Sequence, residues 1–97
     1  MLDQLTAADF ETLPDHRIEA QFGDTTVSLE IIEVRLLGPN PARRLPAFAL
    51  TLRDNGADYY APQGIYVYRH PEHGPLELFT VPAGPDGTGM RYEISFN

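Results

Sequence analysis

Hydrophobic and polar residues alternate along much of this chain with a period of two, which is the pattern of β-strands that bury one face. The clearest run covers residues 90–97, where the positions that can face a core are Met90, Tyr92, Ile94 and Phe96. Two more runs precede it at 64–70 and 76–81, and glycine, proline and aspartate residues separate the three. This arrangement predicts an antiparallel meander in the C-terminal third.

The same pattern predicts three strands farther upstream, at residues 17–22, 25–37 and 47–53. In the long segment 25–37, apolar residues occupy every second position up to Ile31. From Ile32 onward they occupy the other set of alternate positions. A phase change of this kind predicts a β-bulge, as in a sheet that curls toward closure.

The connections between these runs have compositions that suit turns and surface loops. Residues 38–46 contain three prolines, which fix φ and remove N–H donors, so this segment is predicted to be a surface connection. Asp54-Asn55-Gly56 is typical of a tight turn. Residues 57–62 then lead into the C-terminal meander.

A short helix is predicted at the N-terminus. Thr6 is a good N-cap, and Asp9 three residues later completes an acidic form of the capping box. Phe10 and Leu13 follow at helical spacing, and Pro14 ends the run. We therefore predict one domain, 1–97, that is all-β with one short N-terminal helix and about six antiparallel strands forming a small barrel or a strongly coiled meander.

Charge and composition narrow the classes of function. The chain has 14 acidic residues, seven arginines, no lysine and no cysteine, so its net charge is −7. A negative protein repels phosphate backbones and anionic lipids, so we expect neither nucleic acid nor a membrane as a partner. The sequence shows no signal peptide and no apolar run of membrane-spanning length, and we expect a soluble cytoplasmic protein.

The segment His70-Pro71-Glu72-His73 places two imidazoles and a carboxylate close together, and zinc accepts both ligand types. His16 is the other histidine of the chain. Proline and glycine mark this segment as a hairpin loop, where polar residues are common in any case. We therefore predict a structural turn and no metal ligands.

Catalytic residues of other kinds are not predicted either. Ser28 and Ser95 lie in strand patterns outside any nucleophile elbow, and the chain has neither cysteine nor lysine to act as nucleophile. The carboxylate pairs Glu30/Glu33 and Asp54/Asp58 suit solvated strand faces and turns. The glycine-rich segment 84–89 lacks the lysine and the helix of a phosphate loop. The sequence predicts no catalytic residue and no cofactor.

The strands at 64–70 and 76–81 are apolar at both parities, whereas a half-exposed sheet normally has one polar face. Two explanations remain open: the N-terminal helix covers the second face with Phe10 and Leu13, or a partner chain or second copy covers it. The candidate interface residues are Tyr59, Tyr60, Tyr66, Tyr68 and Phe79.

The chain resembles an uncharacterised bacterial family of small all-β domains of about this length, a domain of unknown function. The resemblance rests on segments spread over nearly the whole chain: Leu5–Phe10, Pro62–Tyr66, His70–Gly74, Leu76–Phe79 and Met90–Asn97. No activity is assigned to such domains, and because the family offers no catalytic motif, the resemblance carries over no site residues. It suggests an accessory or structural role beside a phage-tail-like assembly.

Three hypotheses for function follow. The first is a non-enzymatic β domain that acts through protein–protein contact, as an accessory to a phage-tail-like or other larger assembly. The second is a small-molecule binding module that uses the barrel mouth, although a barrel of about six strands is normally filled by its own side chains. The third is a metal-dependent enzyme at the His70–His73 loop.

Overall fold

The computed structural model describes residues 4–38 and 45–97, and within them six antiparallel strands close into a barrel. The helix α1 spans Ala7–Glu11, and a 3-10 turn at Pro14–His16 leads from it into the sheet. The strands are β1 (Arg17–Phe22), β2 (Thr25–Leu36), β3 (Phe48–Asn55), β4 (Gly64–His70), β5 (Gly74–Pro85) and β6 (Gly89–Phe96). The predicted fold class is confirmed, and the sheet is a closed barrel rather than an open meander.

The strand order around the barrel is β1-β2-β3-β6-β5-β4, and β4 pairs with β1 to close it. Hairpins join β4, β5 and β6, and β3 lies beside β6, which is a Greek-key arrangement. Since β3 and β4 are not neighbours, the connection 56–63 between them crosses one end of the barrel. No helix in the described residues is long and apolar enough to span a membrane.

The β-bulge predicted at Ile31–Ile32 is confirmed. Ile31 pairs with Leu52, but the next pair along β2 joins Glu33 to Thr51, so Ile32 is the extra residue. The bulge restores the inward direction for the second half of the strand, where Val34 lies opposite the buried Leu50. This extra residue explains why the apolar parity changes in the sequence.

Strand β5 is longer than the sequence predicted. It continues through Pro82-Ala83-Gly84-Pro85, a segment predicted to belong to the connection. The register with β6 shifts between Pro82 and Gly84, and Gly84 has φ +95°, which glycine adopts without steric cost. Proline residues are accommodated here because a bulge interrupts the hydrogen-bond ladder. Of the predicted connection 38–46, residues 39–44 lie outside the described part of the chain.

The N-terminal helix has the predicted capping box. The Thr6 backbone N–H donates to Asp9 Oδ2 at 2.8 Å, and the Asp9 backbone N–H donates to Thr6 Oγ1 at 3.3 Å. A five-residue helix is too short to be stable alone, so its position depends on docking Phe10 into the barrel. After the helix, Asp15 and His16 both have positive φ, at 56° and 55°.

The core runs through the barrel, and aromatic rings close the end beneath α1. Phe10 lies with its ring centroid 5.9 Å from Phe48 and 5.3 Å from Phe96, and the Phe48 and Phe96 rings stack at 4.4 Å. At the opposite end, Phe22 packs between Tyr66 and Tyr92. The helix therefore acts as a plug, and both ends of the barrel hold packed side chains.

Candidate functional site

The outer face of β4 and β5 exposes large apolar side chains. Ile65 and Phe79 are direct cross-strand partners, and their side chains are 67% and 53% exposed. Val81 follows Phe79 on the same face and is also exposed. We call these three residues the outer patch. Directly opposite pairs on one face lie close enough to touch, so Ile65 and Phe79 form one apolar surface.

Polar side chains continue this face away from the outer patch. The next outward pair along the strands is Val67 with Glu77, and the pair after that is Arg69 with Pro75. Glu77 and Arg69 are exposed, whereas Val67 is half-buried. An apolar centre with a charged margin is the usual composition of a protein interface.

Three of the candidate interface residues, Tyr66, Tyr68 and Phe79, do not lie on one face of the sheet. Tyr66 pairs with Leu78 and Tyr68 with Leu76, and these positions point into the barrel, whereas Phe79 points outward. Both parities of β4 are apolar, so the sequence alone did not show which one faced the core. Tyr68 is fully buried and cannot contact a partner in this fold.

The inward tyrosines have their hydroxyl groups satisfied within the domain. Tyr68 Oη lies 2.7 Å from Thr80 Oγ1, which itself donates to the Leu78 carbonyl oxygen at 3.2 Å, so Tyr68 is the donor. Burial raises the pKa of Tyr68. Tyr66, half-buried, donates its hydroxyl to the Pro62 carbonyl oxygen. These contacts indicate structural roles for both residues.

Tyr59 and Tyr60 are exposed, as a role in an interface requires. They lie on the connection 56–63 that crosses the barrel end. The next residue, Ala61, is buried and its backbone N–H donates to Tyr92 Oη at 2.9 Å. Burial raises the pKa of Tyr92 despite this hydrogen bond. The crossing connection is thus anchored at Ala61, and the two tyrosines project from it.

The explanation that the N-terminal helix covers the outer face of β4 and β5 is wrong. Helix α1 packs beside β2 and inserts Phe10 into the end of the barrel, so Phe10 belongs to the core. Leu13 is also a core residue. The outer patch remains exposed in the isolated chain, and the alternative explanation, a partner or second copy, is still open.

Sequence reasoning omitted two members of the outer patch, Ile65 and Val81, from the candidate interface residues. The signal that could have identified them is strand parity. A hairpin through His70-Pro71-Glu72-His73-Gly74 places Ile65 opposite Phe79. Val81 is two residues after Phe79 and therefore lies on the same face. The hairpin alone does not show which of its two faces points outward. That depends on the position of the core, which is set by the closure of the barrel.

The histidines of the β4–β5 turn contact helix α1. His70 Nε2 lies 2.6 Å from the Asp9 carbonyl oxygen, and His70 Nδ1 accepts from the backbone N–H groups of Glu72 and His73 at 3.1 and 3.4 Å. Both ring nitrogens of this buried side chain are therefore used within the protein. His73 Nε2 lies 3.1 Å from Asp9 Oδ1.

This geometry does not favour a metal site at the turn. A metal ligand must offer a free lone pair, and the Nδ1 lone pair of His70 already accepts two hydrogen bonds. In the described residues, no group of three or more histidine or acidic side chains is arranged to hold a metal ion.

The protein is a small closed six-stranded Greek-key barrel. An N-terminal helical turn plugs one end, and one hairpin carries an apolar patch. The model of a domain of unknown function, DUF6916, matches residues 5–96, and the chain belongs to that family. Neither the curated proteins nor the solved structures include a significant match to the chain.

Proposed function

We propose that this domain is a non-enzymatic binding module that contacts another protein through the outer patch. The observation that carries the proposal is the exposed cross-strand pair of Ile65 and Phe79. Solvated faces of antiparallel sheets are normally polar, and adjoining large apolar side chains on such a face mark interaction surfaces. An aromatic residue at the centre of the patch suits an interface, because aromatic residues carry much of the binding energy in such contacts.

Charge favours a different protein over a second copy of the chain as the partner. Each copy carries a net charge of −7, so two copies repel each other, whereas a basic protein is attracted. The resemblance to small bacterial β domains adds the proposal that the partner belongs to a larger assembly, such as a phage-tail-like particle. The proposed location is the cytoplasm.

Binding of a small molecule in the barrel mouth has less support. Phe10 fills one end and the anchored connection at Ala61 crosses the other. A ligand entering either end must displace packed core residues, which costs several kcal/mol.

The proposal is tested by disrupting the outer patch without disturbing the fold. In Ile65→Thr/Phe79→Ser, two exposed side chains become polar, so we expect the chain to remain folded and to lose its partner in affinity capture from the native host. Leu36→Ser is the matched control, because Leu36 is an exposed apolar residue (69%) on a different strand. Capture of the same proteins by the double variant and the wild type would contradict the proposal.

A further inference from the structure

A cleft of about 270 Å³ lies at the seam between the N-terminal plug and strand β2. Its lining comes from three elements that are separate in sequence. Helix α1 contributes Glu11, the 3-10 turn contributes His16, and β2 contributes four consecutive residues, Ile31, Ile32, Glu33 and Val34. This cleft is outside the barrel and does not include the outer patch.

Local backbone features build this cleft. The bulge adds Ile32 to β2 at the point where the strand passes the plug, and it places Ile31, Ile32 and Glu33 along one short stretch of the rim. The positive φ of Asp15 and His16 turns the chain sharply before β1, and His16 stays exposed beside β2. The cleft thus places one exposed apolar side chain, Ile32, near two exposed carboxylates, Glu11 and Glu33.

One of the two carboxylates already attracts a guanidinium group. Arg35 Nη1 lies 3.4 Å from Glu33 Oε1, and both side chains are about half exposed. Exposed ion pairs of this kind contribute little, so Arg35 does not hold Glu33 tightly and an incoming cation can share or replace it. Glu11 has no ion pair of this kind among the described residues.

We infer that this cleft binds the side chain of an arginine that a partner protein presents. The apolar stem of arginine can lie on Ile32, while its planar guanidinium offers donors in a fixed fork to carboxylates such as Glu11 and Glu33. Charge complementarity supports this occupant, because the cleft offers carboxylates and the whole chain is negative. The inference rests on the proposed function, since it gives the partner a basic contact residue.

The test is a titration of the ¹⁵N-labelled full chain with N-acetyl-arginine methylamide, followed by backbone amide shifts. N-acetyl-citrulline methylamide is the matched probe, since it has nearly the same shape without the charge. We expect saturable shifts at Glu11 and at residues 31–34 with the arginine probe, and at least fivefold weaker binding of the citrulline probe. Absence of saturable shifts, or equal binding of the two probes, would overturn the inference.

Variants of the rim sharpen the result. Glu11→Gln and Glu33→Gln should each weaken binding of the arginine probe about two- to fivefold, as expected for one exposed charge pair. Arg35→Gln should strengthen binding, because it removes the competing guanidinium. Glu77→Gln is the control, since it removes the same charge from an exposed site on β5. Equal weakening by Glu77→Gln would show a general charge effect and overturn the site.

This test is independent of the outer patch. The probe is a single amino-acid derivative and needs no contact with Ile65 or Phe79. Failure of the titration therefore rejects the arginine cleft and leaves the proposed function standing. If Ile65→Thr/Phe79→Ser still captures the partner, the proposed function is rejected instead.

Discussion

The imidazole of His70 joins the β4–β5 turn to the backbone of Asp9, with Nε2 2.6 Å from the Asp9 carbonyl oxygen. A carbonyl oxygen only accepts, so Nε2 must carry the proton, and Nδ1 is then free to accept from Glu72 and His73. The ring also meets the Phe10 ring edge-on at 5.4 Å. His70 thus holds the helical plug on the barrel by two contacts, the hydrogen bond to the Asp9 carbonyl oxygen and the packing against Phe10, while its Nδ1 bonds fix the ring in the turn.

His70→Phe should destabilise the domain by about 2–4 kcal/mol, because it keeps an aromatic ring but leaves three part-buried backbone groups without partners. Urea unfolding measures the change. His16→Asn is the control, since His16 is exposed and asparagine tolerates its positive φ, and we expect it to change stability by about 0.5 kcal/mol or less. A His70→Phe variant as stable as the control would contradict the role assigned to this ring.

The Asp9 carboxylate makes the free energy of unfolding decrease at acidic pH. Burial acts to raise the pKa of this carboxyl, but hydrogen bonds from the Thr6 backbone and from His73 lower it more, so the pKa lies below its usual range. A lowered pKa in the folded state gives a contribution that is present above the unfolded pKa of about 4 and is lost as pH falls through the folded pKa. Unfolding measured between pH 2 and pH 7 should show a steeper acid loss in the wild type than in Asp9→Asn. The same loss of stability at low pH in the wild type and Asp9→Asn would contradict this contribution.

Truncation of Tyr68 should cost far more stability than truncation of Phe79. Tyr68→Ala removes a fully buried ring and should cost about 3–5 kcal/mol, and Tyr68→Phe should cost about 1 kcal/mol through loss of the hydrogen bond to Thr80. Phe79→Ala removes an outward ring and should cost less than about 1 kcal/mol. Chemical denaturation of the three variants measures these differences. A large loss of stability in Phe79→Ala would show that the outer patch is part of the core.

Gly89 allows β6 to approach β3 closely. A Cβ at this position would lie 2.2 Å from the Asp54 carbonyl oxygen, so the backbones must separate in Gly89→Ala. We expect a loss of about 2–4 kcal/mol, as for other overpacked sites. Gly38→Ala is the matched control, because a Cβ there meets nothing within 4 Å. Comparable stability of the two variants would contradict the close approach.

Most of the barrel could be predicted from the sequence because its strands alternate clearly. The phase change at Ile31–Ile32 located the bulge, and Thr6 with Asp9 located the start of the helix. The end of β5 could not be predicted, since Pro82 and Pro85 are usual strand terminators and only the bulge near Gly84 accommodates them.

The candidate site could be predicted only in part. Phe79, Tyr59 and Tyr60 are exposed as an interface requires, but Tyr68 is in the core. The reason is that β4 is apolar at both parities, so its inward face depends on how the barrel closes through pairing with β1. The cleft beside Ile32 depends on the positive φ of Asp15 and His16, for which a sequence of non-glycine residues gives no signal.

The most direct test of protein contact through the outer patch is photo-crosslinking in the native host with p-benzoyl-phenylalanine at position 79. We predict a defined adduct with another protein that is lost when Ile65→Thr is added, because Ile65 and Phe79 form one surface. The same photoreactive residue at position 36 is the control, since Leu36 is at least as exposed as Phe79 and lies on a different strand. No adduct at position 79, or the same adducts from both positions, would contradict the proposed function.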